Sequence, residues 1–321
     1  MQHAQSPIRI GARGSRLSLV QARYIQAEIT RLLGADPALA DAVAPIVPIT
    51  TTGDRVQDRR LLEIGGKALF TKEIEEALLD GRIDCAVHCL KDMPAMTPPG
   101  LATAAHPERE DPRDALISHI ASRIEDLPQG ARLGTASLRR QAQALHIRPD
   151  LDVQLLRGNV DTRLARLDEG GADAIMLAFA GLKRLGIPER AAGLIDPVLA
   201  PPAPGQGALT IQTREADLDH PAFRGLHHVA TGISVAAERG ALEALEGSCK
   251  TAVGAFAQLV DGRLSLIVEG LTPNGAQRWR RDGAIQLSMD EQHARDEAYR
   301  LGLSLGEAVR KDGGDALLPP G

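Results

Sequence analysis

The stretch Asp84-Cys85-Ala86-Val87-His88-Cys89-Leu90-Lys91-Asp92-Met93-Pro94 contains a short apolar run that leads to a pair of charges. The run from Ile83 to Val87 predicts a buried strand, and Pro94 stops it. Lys91 and Asp92 would then follow the carboxyl end of a strand, where ligands bind in open α/β sheets. Adjacent charges of this kind are common in solvated turns, so the rest of the chain must decide whether they form a site.

Composition excludes several classes of protein. The chain has 321 residues, a net charge of −5 and only 2% aromatic residues, which argues against a nucleic-acid partner. No run approaches the ~18 apolar residues of a membrane helix, and residues 1–9 lack the apolar core of a signal peptide. The three cysteines do not have the spacing of a disulfide framework. We therefore expect a cytoplasmic protein with no nucleic-acid or membrane partner.

An internal repeat predicts two similar α/β halves. Residues 9–15 and 132–137 share a strand, a glycine and a serine that can cap the following helix. The proline- and glycine-rich segment 197–207 is typical of a hinge, and the strand predicted over 208–213 is expected to complete the first half.

The C-terminal third has a different pattern. Asp261-Gly262 separates apolar segments at 251–260 and 263–271, which predicts a β-hairpin. A strand near Arg278 and a helix over 290–311 follow, so we expect a small α+β domain with a three-stranded antiparallel sheet. The fold class predicted for the whole chain is α/β with three domains: residues 1–107 with 208–226, residues 108–203, and residues 229–321.

Arginine is concentrated in the second half of the repeat. Residues 131–166 contain seven Arg, three Asp and no Lys. Arginine pairs bidentately with carboxylate or phosphate, so the set predicts a site for a small polyanion, although any single member is better explained as a surface charge. No glycine-rich phosphate loop accompanies it, which argues against a nucleotide. The candidates are Arg139, Arg140, Arg157, Arg163 and Arg184, with Arg13 and Lys91 at matching positions in the first half.

The three cysteines differ in setting. Cys85 lies inside the predicted strand and is expected to be buried. Cys89 has His88 beside it, but the sequence offers no second ligand pair with zinc spacing, so we predict no metal site. Cys249 lies in a predicted turn next to Lys250, a setting that favours the thiolate and permits either a covalent anchor or a nucleophile.

Nine sequence motifs span nearly the whole chain. They are Arg13–Ser15, Gly65–Glu73, Ala86–Pro94, Arg109–Asp114, Gly134–Gln141, Leu156–Leu164, Ala180–Leu185, Gly205–Gly207 and Glu246–Cys249. Taken in this order, they resemble the motifs of the porphobilinogen deaminase (hydroxymethylbilane synthase) family. The chain departs from the family's usual residues at Cys89, Ala136, Ser248 and Lys250, and none of these departures removes a charge or a nucleophile.

The resemblance implies a fold and an activity. Two lobes like those of periplasmic binding proteins would surround a cleft, a third domain would carry the cofactor on a loop, and the protein would be a monomer. Cys249 would hold a dipyrromethane through a thioether. Four porphobilinogen molecules would add to this primer with loss of ammonia, and hydrolysis would release hydroxymethylbilane for porphyrin and haem synthesis.

The resemblance also assigns roles to residues. Asp92 would stabilise the positive charge that develops on the pyrroles and shuttle protons, and the surrounding cations are expected to keep it ionised. The arginines would pair with acetate and propionate groups, while hydroxyl groups and the end of a polar loop would make the remaining contacts. The binding residues implied are Arg13, Ser15, Lys67, Phe70, Lys91, Thr135, Ser137, Arg139, Arg140, Arg157, Arg163 and Arg184.

Two other hypotheses remain open at this point. A two-lobed anion-binding protein without catalysis would explain the arginines but would leave Cys249 and Asp92 without a role. A hydrolase with Cys249 as nucleophile would need a partner histidine. The sequence offers His227 and His228, and the alternative interpretation is that these two residues only begin a helix.

Overall fold

The computed structural model describes residues 6–55, 69–245 and 251–317. The strands are β1 (Ile10–Arg13), β2 (Ile46–Ile49), β3 (Cys85–Cys89), β4 (Leu101–Ala105), β5 (Asp114–Ser118), β6 (Arg132–Gly134), β7 (Asp152–Gln154), β8 (Ala174–Ala178), β9 (Gly193–Leu194), β10 (Leu209–Arg214), β11 (Ala252–Val260), β12 (Arg263–Leu271) and β13 (Arg278–Gln286). The α-helices are α1 (Arg16–Leu32), α2 (Ala40–Val43), α3 (Thr52–Arg55), α4 (Lys72–Leu79), α5 (Leu138–Ile147), α6 (Val160–Asp168), α7 (Phe179–Arg184), α8 (Pro221–Arg224), α9 (Val229–Ala244) and α10 (Glu291–Gly313). Within these ranges, no helix combines the length and apolarity needed to span a bilayer.

The described residues divide into two compact units. The first contains residues 6–55, 69–109 and 208–229, and the second contains residues 110–207, 230–245 and 251–317. The second unit includes both a five-stranded and a three-stranded sheet. The further separation of residues 108–203 from residues 229–321 as two domains stays a prediction.

The first unit is built on a mixed five-stranded sheet of order β2-β1-β3-β10-β4. β1 runs parallel to β2 and β3, whereas β10 runs antiparallel to β3 and β4. Ile25 and Ile29 of α1 and Ile10 of β1 are buried in one core cluster, and Ile74 and Leu78 of α4 belong to another. The strand after the proline-rich segment therefore completes the first sheet, as predicted.

The second unit repeats this arrangement, with a sheet of order β7-β6-β8-β5-β9. Each of the two halves contains an equivalent ion pair. The backbone N–H and guanidinium of Arg9 both donate to Asp84, and those of Arg132 both donate to Asp173, with N···O distances of 2.8 Å for each backbone bond. The predicted repeat of two α/β halves is thereby confirmed.

Serine caps begin the corresponding helices of the two halves. The hydroxyl of Ser15 accepts a hydrogen bond from the backbone N–H of Ser18, and that of Ser137 accepts one from Arg140, each at 3.4 Å. These bonds satisfy N–H groups that have no partner within the helix. Both caps were predicted, and they place the end of each preceding strand beside a helix N-terminus.

The bounds predicted for the strand over residues 83–87 were wrong by two residues. β3 runs from Cys85 to Cys89, because the backbone N–H of Ile83 donates to Ala77 at the end of α4 instead of to a strand. His88 and Cys89 are instead paired with β10. Asp92 therefore ends a short 3-10 turn, Leu90–Asp92, that follows the strand.

The C-terminal part of the second unit is the predicted α+β structure. β11, β12 and β13 form an antiparallel sheet, and Asp261 and Gly262 turn the first hairpin with φ of 49° and 74°. Helices α9 and α10 approach closely at Gly302, where a Cβ atom would collide with the carbonyl oxygen of Ala237. Glycine is thus required at this contact. The α/β fold class with three sheets is confirmed.

Candidate functional site

A cavity in the first unit opens at the carboxyl ends of β1 and β3. This is the edge at which open α/β sheets bind ligands. Four of the predicted site residues line it, namely Arg13, Ser15, Phe70 and Asp92. Its other lining residues are Leu17, Ser18, Gln21, Thr71, Val87, His88 and Cys89.

Arg13 is held in this cavity from two sides. Its guanidinium carbon lies 4.2 Å from the centroid of the Phe70 ring, and its Nε donates to Asp54 at 3.1 Å. Burial disfavours the charged form of Arg13, but the hydrogen bond to Asp54 and the charge of Asp92 outweigh it, so the pKa of Arg13 is raised. Arg13 is therefore a fixed cation. Asp54 was not predicted as a site residue, although it lies at the start of the polar stretch before Lys67.

Asp92 is the exposed carboxylate of the cavity. It is the last residue of the 3-10 turn, and it accepts no hydrogen bond from the residues that the structure describes. Its negative charge contributes to the raised pKa of Arg13, and it opposes the lowering of the pKa of His88 that burial causes. Lys91 before it is half-buried. The turn thus leaves one carboxylate accessible to a ligand beside a stacked guanidinium.

Behind the cavity lies a buried polar chain that sequence reasoning missed. The Nε2 atom of His88 is 3.0 Å from Oε1 of Gln212, and Nε2 of Gln212 donates to Glu75 at 3.2 Å. Burial is the main cause that lowers the pKa of His88, to about 4. The only available signal was a histidine inside an apolar strand pattern.

Two of the predicted binding arginines in the second unit are buried against a carboxylate. Arg139 Nη1 lies 2.7 Å and Arg140 Nη2 lies 2.8 Å from the two carboxylate oxygens of Asp114, and Gln206 Nε2 donates to Asp114 Oδ1 at 2.9 Å. Burial would raise the pKa of the Asp114 carboxyl, but both guanidinium groups outweigh it and hold the pKa well below its ordinary value. A direct role for Arg139 and Arg140 in ligand binding stays a prediction.

The same polar network continues within the second unit to the three-stranded sheet. Arg139 Nη1 donates to Gln143 at 2.7 Å, and Gln143 Nε2 donates to Glu269 of β12, also at 2.7 Å. Arg278 of β13 pairs with the other oxygen of Glu269 at 2.8 Å. Asp114 therefore anchors a network that connects α5 with the C-terminal sheet.

Replacing Asp114 with asparagine is expected to lower the free energy of unfolding by about 3–5 kcal/mol, because two buried guanidinium groups lose their counter-charge. Chemical denaturation at pH 7 measures this loss. The folded-state pKa of Asp114 is depressed, so its stabilisation is complete above about pH 4 and declines as the pH falls further. The difference between wild type and variant should then shrink on acidification. A comparable loss in the exposed control Asp152→Asn would contradict this explanation.

The remaining predicted residues of the second unit lie near strand ends and helix starts. Arg163 Nε donates to the carbonyl of Gly158 at 2.8 Å, and Arg184 Nη2 donates to that of Gly207 at 2.6 Å. Thr135 Oγ1 accepts the backbone N–H of Ser137 at 3.1 Å. Arg157 differs from these, since its buried Nη1 has no hydrogen-bond partner among the described residues. A buried guanidinium nitrogen without a partner fits an anionic ligand.

Two predicted residues, Lys67 and Cys249, lie outside the described residues, as do residues 56–66 of the polar loop that precedes Lys67. The other two cysteines are described. Cys85 is buried, as predicted, and burial raises the pKa of its thiol. Cys89 is half-buried, with its Sγ 3.2 Å from Nε2 of Gln21. The described residues contain no group of three or more His, Cys, Asp or Glu side chains able to hold a metal ion.

His227 and His228 have structural contacts at the start of α9. The Nδ1 atom of His227 accepts the backbone N–H of His106 at 3.1 Å, and the backbone N–H of His228 donates to the carbonyl of His106 at 2.8 Å. These contacts agree with the prediction that the two histidines begin a helix, and they offer no specific support for a role as the base of a cysteine hydrolase.

Solved structures with some similarity include binding proteins of low sequence identity. A putative methionine-binding lipoprotein from Bacillus subtilis is 10% identical, with a TM-score of 0.42, and the match covers 70% of this chain and 90% of that one. A nutrient binding protein from Burkholderia cenocepacia, bound to methionine, is 15% identical with a TM-score of 0.42, covering 68% of this chain and 89% of that one.

Family models and curated relatives match almost the whole chain. Residues 8–221 match the model described as porphobilinogen deaminase, dipyromethane cofactor binding domain, and residues 233–311 match porphobilinogen deaminase, C-terminal domain. The porphobilinogen deaminase of Caulobacter sp. (strain K31) is 64% identical over 316 residues, or 98% of this chain and 99% of that protein. That of Phenylobacterium zucineum (strain HLK1) is 61% identical over 320 residues, with the same coverage. The chain belongs to the porphobilinogen deaminase family.

Proposed function

We propose that this protein is a hydroxymethylbilane synthase, a transferase that condenses four porphobilinogen molecules in sequence. Each condensation breaks the bond between the aminomethyl carbon and its nitrogen, releases ammonia and forms a carbon–carbon bond. A final hydrolysis releases hydroxymethylbilane for porphyrin and haem synthesis. The observation that carries the proposal is the cavity that pairs the exposed Asp92 carboxylate with the stacked Arg13 cation, inside the segment matched by the cofactor-binding model.

The described residues fit a covalent dipyrromethane. Each of its pyrrole rings carries an acetate and a propionate, and the unpartnered buried Nη1 of Arg157 is a donor of the kind that carboxylates require. The attachment residue is Cys249. When bound, the group supplies the free pyrrole carbon to which the first substrate unit is joined. The residues proposed to bind the cofactor and substrate are Arg13, Ser15, Lys67, Phe70, Lys91, Thr135, Ser137, Arg139, Arg140, Arg157, Arg163 and Arg184.

Asp92 is the proposed acid and base. An exposed carboxylate beside the ligand can transfer a proton to the departing amine and accept one from the pyrrole carbon that has been attacked. In its ionised form it also opposes the positive charge that develops on the pyrrole rings. The fixed cation Arg13 holds ligand carboxylates in the same cavity, so Asp92 is left to act at the reacting atoms.

The location, oligomeric state, domain number and partners of the enzyme are also part of the proposal. We infer a cytoplasmic monomer of three domains whose only partner is porphobilinogen, without nucleic acid or membrane. The net charge of −5 and the small number of aromatic residues support the absence of a nucleic-acid partner.

Intact mass spectrometry of the purified protein tests the proposed function. The expected result is an excess over the chain mass equal to two linked pyrrole units, together with ammonia release when porphobilinogen is added. An unmodified mass from cells that make the cofactor would overturn the proposal. Porphobilinogen binding without ammonia release would instead identify an anion-binding protein.

A further inference from the structure

His88 lines the same cavity as Asp92 but has no role in the chemistry proposed above. It lies near the end of β3, is 5% exposed, and lines the cavity together with Arg13. A buried titratable side chain is costly unless its polar atoms are satisfied, and so its hydrogen bonds indicate what it does.

The hydrogen bonds behind the cavity determine which ring nitrogen carries the proton. The amide nitrogen of Gln212 donates to Glu75, so its oxygen faces His88 and can only accept. Nε2 of His88 must therefore be the donor. The pKa of His88 is lowered to about 4, first by burial and then by the charge of Arg13, while Gln212 and Asp92 act in the opposite direction. At neutral pH the ring is uncharged, and Nδ1 is an acceptor.

Nδ1 has no hydrogen-bond partner within the part of the chain that the structure describes, and His88 is one of the residues that line the cavity. The cavity thus offers a neutral acceptor beside one carboxylate and one fixed cation. Carboxylate groups of a ligand would be repelled by this lone pair and attracted by Arg13. An ammonium group would be drawn to Asp92. The ligand atom that suits the lone pair is a neutral N–H donor.

We propose that Nδ1 of His88 accepts a hydrogen bond from the pyrrole N–H of a porphobilinogen unit bound beside Asp92. This inference rests on the proposed function. It makes His88 a substrate-binding residue whose tautomer is set by Gln212 and Glu75. The contact orients the ring by its single neutral donor, while the side-chain carboxylates of the same ring bind arginine.

Two substitutions distinguish a role of His88 in substrate binding from a role in stabilising β3. In His88→Gln the amide can replace Nε2 and keep the bond to Gln212, but it offers no acceptor at Nδ1. In His88→Asn the side-chain oxygen can replace Nδ1, while the bond to Gln212 is lost. We expect His88→Gln to raise KM on the order of tenfold to a hundredfold with a smaller change in kcat, and His88→Asn to restore most of that loss. The opposite order would overturn the inference.

Both variants are purified with the cofactor attached, and the adduct mass is confirmed first. His119→Gln removes an exposed histidine of the second unit and serves as the control, with unchanged KM expected. If wild type carries the adduct and releases ammonia while His88→Gln has a normal KM, the proposed function stands and only the role of His88 fails.

A spectroscopic measurement is independent of turnover. Nitrogen-15 NMR of the wild-type holoenzyme should show Nδ1 of His88 as unprotonated, with the resonance assigned by its loss in His88→Gln. Addition of an unreactive pyrrole with acetate and propionate groups but no aminomethyl group should shift this resonance towards the hydrogen-bonded position. Binding of this pyrrole without any shift would overturn the inference.

Discussion

Asp92→Asn is expected to lower kcat by about 10²–10⁴-fold while the dipyrromethane stays attached. Asparagine has the same shape, but it neither transfers a proton nor carries the negative charge that opposes a developing cation. Asp92 is exposed at the end of a short turn, so the substitution leaves the core unchanged. The measurement is the rate of ammonia release from porphobilinogen, with the intact mass of the same sample as a check on the cofactor.

A matched control is available in the second unit. Asp126 is also exposed and also ends a 3-10 turn, Ile124–Asp126. Asp126→Asn should leave kcat unchanged, because Asp126 is not among the residues that line the cavity. If Asp92→Asn keeps its rate within a few-fold of wild type, Asp92 is not the acid and base.

Cys249→Ser is expected to abolish covalent attachment of the cofactor and, with it, all turnover. The thioether requires a sulfur nucleophile, and a thiol reaches its anionic form at far lower pH than a serine hydroxyl. The substitution changes one atom, so the protein should still fold. Intact mass spectrometry should show the bare chain mass, and circular dichroism should match that of wild type.

Cys89→Ser provides the comparison for this experiment. Cys89 is half-buried in β3 and contacts Gln21, and its replacement should leave the pyrrole adduct in place. An adduct that persists in Cys249→Ser but disappears in Cys89→Ser would move the attachment site to β3.

Much of the fold could be predicted because its signals are local. The serine caps at residues 15 and 137 and the hairpin at Asp261-Gly262 each depend on residues within three positions of one another. The repeat of strand, glycine and serine then indicated two similar sheets, and both are present. The predicted bounds of β3 were wrong, because a contact with Ala77 decides where that strand begins.

The pairing of charges could not be predicted in the same way. Arg139 and Arg140 have the pattern of ligand-binding residues, yet their partner Asp114 lies 25 and 26 positions earlier in the chain. His88 and Gln212 are 124 positions apart. No local pattern shows which polar groups will meet after the strands have been ordered into a sheet.

The sequence by itself determined the α/β class, the repeat and the family resemblance, and it nominated Asp92 as the candidate carboxylate, because these depend on short-range periodicity and on motifs of adjacent residues. Only the tertiary structure decided which cations are already paired, that Phe70 and Asp54 hold Arg13, and which nitrogen of His88 is bonded to Gln212. These outcomes depend on burial and on hydrogen bonds between distant segments, and such contacts exist only once the chain has packed.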